Sequence, residues 1–188
     1  MDKRIARTRK SIKDALLSLI EKKSAEKITV SEIALLAGIE RKTFYLHYGC
    51  IEDVYLDIEK EISDELIEIS NQYLKEPEYK IVNIFSNLNT VITKNISFFK
   101  AVNMNESYSF VMNSFEKILS SVILKISREI YHIKSKNMTY YSDYYAAGIL
   151  SLYKKWLKDE TDLTIEELTS ILTRVIFLSV DQLKLDKD

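Results

Sequence analysis

Arg41, Lys42, Thr43, Tyr45 and His47 bring together two long cations, a hydroxyl, a phenol and an imidazole in one short stretch. Two kinds of chemistry use such a set. His47 stands near Cys50, where an imidazole could activate a thiol. No third orienting group and no oxyanion site accompany the pair, so nucleophilic catalysis is not expected and no catalytic residue is assigned. The other chemistry is recognition of DNA. A long cation reaches guanine O6 and N7 or an adjacent phosphate, a threonine bonds a base edge or meets a thymine methyl, and a tyrosine bonds a phosphate or stacks along the groove.

Such residues read DNA only if an element holds them outward. Thr29 and Glu32 have the spacing of a capping box, which starts a helix near Val30. Ile33, Ala34 and Ala37 fall on one face of that helix, and Gly38 stands where the chain must reverse through a positive φ that glycine reaches cheaply. A second helix then begins near Arg41. Two short helices around a glycine turn form a helix-turn-helix, the unit that lays a helix in the major groove. Arg41 and Lys42 lie at the start of the reading helix, Thr43 beside them, and Tyr45 one turn on, while Phe44 and Tyr48 fill the small core. Tyr45 has an alternative role as a boundary aromatic over the first helix of the chain. Thr29, at a helix N-terminus, and the arm carrying Lys3, Arg4 and Arg7 are placed to anchor phosphate without reading sequence.

The string Thr29-Val30-x-x-Ile33-Ala34-x-x-Ala37-Gly38-Ile39-x-x-x-Thr43-Phe44-Tyr45-x-His47-Tyr48 resembles the DNA-binding signature of the TetR family of bacterial one-component transcriptional regulators. The resemblance implies an all-α protein: an N-terminal three-helix DNA-binding domain with the helix-turn-helix over residues 1–50, and a C-terminal helical ligand-binding and dimerisation domain over residues 51–188. His47 matches the family's phosphate-contacting histidine, the alternative being a helix C-terminal cap. The sequence departs from the family pattern at Lys42, where a small residue or proline is frequent, and at Ile51, where a lysine usually opens the next helix and contacts phosphate.

Composition agrees. The 188 residues are 46% apolar with three Gly and one Pro, which leaves little room for a sheet. One cysteine excludes an internal disulfide, and one Cys with two His cannot supply four zinc ligands, so neither metal nor cofactor is expected. No apolar run approaches the length of a membrane span, and the N-terminus is too charged for a signal peptide, so a cytoplasmic protein without membrane contact is expected. The net charge of −1 hides an asymmetry: residues 1–48 carry eleven Lys or Arg against six acids, while the remainder is acidic on balance. That excess, coinciding with the motif, suits a phosphate partner.

Apolar periodicity predicts a first helix over about 3–22, a long connecting helix over about 52–73 with Tyr55, Ile58, Ile62, Leu66, Ile69 and Tyr73 inward, and a break at Pro77. Four further segments follow, over about 79–101, 107–134, 139–158 and from a second capping box at Thr164 and Glu167 onward. The last shows Leu168, Ile171, Leu172, Val175, Ile176, Leu178 and Val180, a stripe too broad for one buried side, which calls for a second chain. In TetR-like proteins the last two helices of each chain form a four-helix dimer bundle, so a homodimer through those helices is expected. Gly148 fits close helix approach there, or else a local kink.

TetR-like regulators also bind a small molecule in the second domain, which alters the separation of two reading heads that must stand about 34–36 Å apart on DNA. Candidate lining residues are Phe85, Phe99, Met104, Tyr108, Met112, Phe115, Tyr141, Tyr144 and Tyr145, although aromatic residues at helical spacing also build ordinary cores. The function expected is repression at a double-stranded DNA operator, relieved by an inducer of unknown identity. The alternative is a co-regulator or activator acting mainly through protein–protein contacts.

Overall fold

The computed structural model describes residues 3–75 and 81–185, so the break expected at Pro77 lies outside the described residues, as do the side chains of Tyr73 and Val180. Among the described residues the chain is all-α, with nine α-helices and two short 3-10 turns. They are α1 (Lys3–Ile20), α2 (Val30–Leu36), α3 (Arg41–Tyr45), α4 (Ile51–Lys75), α5 (Ile81–Lys94), α6 (Ile96–Met104), α7 (Ser109–Glu129), α8 (Met138–Leu157) and α9 (Ile165–Leu185). Two compact units result: residues up to Glu61 with Ser97–Val111, and Ile62–Ile96 with the chain from Met112 onward.

In the first unit, Ile12, Ala15 and Leu16 share one face of α1 and are buried with Ile33 and Ala34 of α2 and Phe44 of α3. Burying one side chain of that size stabilises by about 1.5–3 kcal/mol. The core does not stop at residue 50. Val54, Tyr55 and Ile58 in the first turns of α4 are also buried, and the Tyr55 ring lies 4.1 Å from that of Tyr108 and 5.9 Å from that of Phe98. Large apolar side chains on those turns need cover, and the 97–111 segment supplies it within the same unit.

The second unit is held by apolar stripes and by a few polar links. The Asn89 amide of α5 donates to Thr169 of α9 and accepts from the Tyr153 hydroxyl of α8, tying three helices at one point. Lys94 of α5 pairs with Glu65 of α4 at 2.9 Å. The second capping box forms as the spacing predicts: Glu167 N–H donates to Thr164 Oγ1 at 3.2 Å, and Thr164 N–H to Glu167 Oε2 at 2.8 Å.

The helix expected over about 107–134 ends at Glu129, and the structure also corrects an earlier segment. The run expected over about 79–101 is two helices, α5 and α6, separated at Asn95. The Asn95 side-chain amide donates to the Val91 carbonyl at 2.9 Å, offering the backbone a local alternative to continuing the ladder. The break divides the expected inward stripe, leaving Phe85 in the second unit and Phe99 in the first.

Candidate nucleic-acid interface

The start of α2 is tied by two residues whose three hydrogen bonds converge on one carboxylate. Thr29 N–H donates to Glu32 Oε2 at 3.0 Å, the Thr29 hydroxyl donates to the same oxygen at 2.8 Å, and Lys23 Nζ donates to Glu32 Oε1 at 2.6 Å. The Lys23 ammonium first, and then Thr29, hold the Glu32 carboxyl down from its ordinary 4.5 to about 2. At the far end Gly38 takes φ +67°, and Ile39 N–H reaches back to the Ala34 carbonyl at 3.0 Å, closing the helix and turning the chain toward α3.

That turn sets which residues of α3 point inward. Phe44 is fully buried and packs edge-on against Tyr45 at 5.5 Å, while Tyr45 remains 50% exposed. Arg41 and Lys42 are exposed, Thr43 and His47 are half-buried, and Thr29 and Arg4 are exposed. His47 follows the C-cap Leu46, its N–H donating to the Phe44 carbonyl at 2.9 Å. Leu46 is 75% exposed beside these polar groups. Sequence alone does not single it out, because a leucine at helical spacing ordinarily belongs to a core.

Beneath the exposed edge of α3 lies a polar network that periodicity did not disclose. Arg9 pairs with Asp57 at 3.0 Å and stands 4.7 Å over the Tyr48 ring, the Tyr48 hydroxyl donates to Asp57 at 2.6 Å, and Lys13 bonds both Asp57 and Glu61. Burial pushes the Asp57 carboxyl up, but the donors Tyr48, Arg9 and Lys13 outweigh it and hold the group below its usual range. These bonds fasten α1 to the first turns of α4 and seat Tyr48, which closes the core beneath α3. A signal existed: Arg9 and Lys13 on α1, and Asp57 and Glu61 on α4, are each one helical turn apart with opposite signs. Two cations counted above in the basic excess are therefore engaged by carboxylates.

Cys50 is exposed. Its thiol is pushed up by desolvation, which outweighs the lowering hydrogen bond to the Asp53 backbone, with the Glu52 and Asp53 carboxylates adding to the rise. A nucleophilic cysteine needs the opposite environment.

The nine candidate ligand residues divide between the two units. Phe85 and Tyr145 line a cavity of about 70 Å³ in the second unit, together with Leu88, Val122, Ile126 and Met138. Met112 and Phe115 are buried in that unit, Tyr141 packs on the Ile133–Met138 cluster, and Tyr144 is 74% exposed. Phe99, Met104 and Tyr108 belong to the first unit, where Met104 is 74% exposed and Tyr108 borders an opening of about 450 Å³ shared with Tyr45, Cys50 and Asn105. Among the described residues no group of His, Cys, Asp and Glu is arranged to hold a metal, and no helix is long and apolar enough to cross a membrane.

Comparison with known proteins places this geometry. Residues 80–178 match the TetR C-terminal family model described as a transcriptional regulator C-terminal region. Over 162 residues the chain is 30% identical to the uncharacterized HTH-type transcriptional regulator YxbF of Bacillus subtilis (strain 168); the match takes in 82% of the chain and 41% of YxbF, so the chain spans less than half the length of that relative. Among solved structures it shares its fold with the dihydroxyacetone kinase operon activator DhaS (TM-score 0.68, 22% identity, 96% of this chain and 98% of that one). It also shares it with Thermus thermophilus FadR, a TetR-family repressor in complex with lauroyl-CoA (TM-score 0.67, 19% identity, 90% of this chain and 93% of that one). With the family model covering more than half of its length, and the capped, glycine-turned helix pair at its N-terminal end, this chain belongs to the TetR family of DNA-binding, helix-turn-helix transcriptional regulators.

Proposed function

We propose that the chain represses transcription by binding an operator as a homodimer, and that a small molecule held in its second unit releases it. The observation that carries this reading is the edge of α3: Phe44 is fully buried while Arg41, Lys42 and Tyr45 on the same short helix stay exposed. Arg41 and Lys42 read base edges from the first turn, with Thr43 beside them, and Tyr45 and His47 meet phosphate. Thr29 at the α2 N-terminus and Arg4 in the first turn of α1 fix the register on the backbone. Leu46, exposed next to them, suits contact with sugar or a thymine methyl.

The homodimer is assigned to α8 and α9. Tyr140, Tyr144, Gly148 and Ser151 form an exposed line on α8, and Ile171, Val175 and Leu178 form one on α9. A Cβ placed on Gly148 meets nothing within 4 Å in a single chain, so the space over it is open to a second copy. A two-fold pair explains why one chain needs only one reading helix, since each copy occupies one half-site about 34–36 Å from the other. Release needs a ligand that prefers the mis-spaced arrangement; such couplings amount to about 1–3 kcal/mol. α4, which runs unbroken from the first unit into the second, is the element available to carry the shift.

A mobility-shift titration with the DNA upstream of the protein's own gene tests the proposal, run from about 50 to 200 mM salt. A selective, salt-sensitive complex with two symmetric half-sites is expected. Binding that is equally tight to unrelated duplexes would overturn it.

A further inference from the structure

We propose that the cavity of the second unit and a basic cup beside it form one bipartite site for an amphiphilic anion, apolar in its body and carboxylate- or phosphate-like at its head. The body half is the cavity of about 70 Å³ bordered by Phe85, Leu88, Val122 and Ile126. That is about half the size of an engineered apolar cavity of roughly 150 Å³ that admits benzene, so a longer body needs one wall to yield. The head half is an opening of about 370 Å³ at the turn between α7 and α8, lined by Arg128, His132, Lys134 and Lys136. Glu129 is the one acid within that stretch of sequence.

The two halves share a wall. Ser127 and Tyr131 line the cavity, and the next residue after each, Arg128 and His132, lines the cup. Ile133 on the cup side packs against Met138 on the cavity side, with 5% and 1% of their surfaces exposed. The turn itself is fixed: Ile133 N–H donates to the Ser127 carbonyl at 3.0 Å, Met138 N–H to the Ser135 carbonyl at 3.2 Å, and His132 holds φ +54°. The cup is thus anchored while the wall depends on one unbranched methionine, whose three rotatable bonds let it repack around an entering chain. A cluster of surface cations alone is a solvated face, and a small apolar void alone is a packing defect. A cation cluster sharing a methionine wall with the void selects a molecule with both characters, because its charged head is matched only where its apolar body can also be buried.

The regulatory meaning of this site rests on the repressor reading above, but its occupancy does not, and the two are measured separately. Calorimetric titration of the full chain compares octanoate, octyl phosphate and 1-octanol, three probes with one body and different heads. Both anions should bind about tenfold tighter than the alcohol, the scale of one charge-assisted hydrogen bond, and the tighter of the two anions identifies the head group. The exposed double variant R128E/K134E should abolish that preference, and Val122→Phe should weaken all three probes. Equal binding of anion and alcohol, or a preference that survives the charge reversal, would overturn the site. If Val122→Phe does not fold, the charge-reversal comparison still decides. Operator binding by the unaltered chain, run in parallel, keeps the readings apart: a selective DNA complex without octanoate or octyl phosphate binding removes this site and spares the repressor, and anion preference without a DNA complex does the reverse.

Discussion

The edge of α3 and the outer line of α9 are both left exposed by helices whose opposite faces are buried, yet they are unfinished in different ways. On α3 the exposed residues are Arg41, Lys42 and Tyr45 around a buried Phe44; on α9 they are Ile171, Val175 and Leu178 around buried Leu168 and Leu172. Cations and a phenol in water lose little by staying there and gain when phosphate and base edges arrive. Three aliphatic side chains in water are stabilised only by apolar cover. The comparison teaches that exposure alone says a surface awaits a partner, and the chemistry of what is exposed says which kind.

The sharpest way to break the comparison is to exchange inside for outside on α3. Phe44→Ala should destabilise the first unit by about 3–5 kcal/mol in denaturant unfolding, whereas Tyr45→Ala should stay within about 0.5 kcal/mol while weakening DNA binding. Equal stability losses would mean that Tyr45 is core and the reading edge is misassigned. Next in size, V175D/L178D should raise the dimer dissociation constant about a hundredfold or more by native mass measurement, since each carboxylate would lose water in an apolar seam. A dimer that persists in this variant would move the interface elsewhere.

Smaller effects separate base reading from anchoring on the DNA side. Arg41→Ala should cost about 1–3 kcal/mol and relax selectivity at one base pair, while Arg7→Ala should weaken all sequences alike and flatten the salt slope by about one unit. The smallest effect is on acid stability. Glu32 and Asp57 are both held below their unfolded ranges, so their contribution is complete above about pH 4.5 and is lost as pH falls through the lowered values. Thermal melts between pH 5 and 2 should show the first unit falling progressively, with Glu32→Gln starting lower and declining less. An unchanged slope in that variant would separate Glu32 from acid unfolding.

How far each feature was legible follows from the sequence distance over which it is determined. The capping box at Thr29 and Glu32, the Gly38 turn and the exposure of Arg41 and Lys42 depend on neighbours within about one or two helical turns, and each is found where the spacing places it. The Thr164 and Glu167 box is legible for the same reason. The break at Asn95 is also local, but it depends on a side chain that competes with the helix, and apolar periodicity does not register that. Among the nine aromatic and methionine candidates, periodicity could not distinguish Phe85 and Tyr145, which line the cavity, from Tyr144 and Met104, which face water. One helix face looks alike to periodicity whether its cover comes from the same unit, the other unit or no residue of the chain.

The sequence by itself determined the helix boundaries around residues 28 to 48, the polarity of the exposed edge of α3 and the all-helical class, because hydrogen bonds and φ preferences act between near neighbours. Only the tertiary structure decided that Arg9 and Lys13 turn to Asp57 and Glu61, that residues 97–111 join the first unit, and that Ile133 and Met138 form a wall between a void and a basic cup. Those outcomes depend on which distant segments pack together, and burial and pairing are properties of the packed arrangement that no short window of sequence contains.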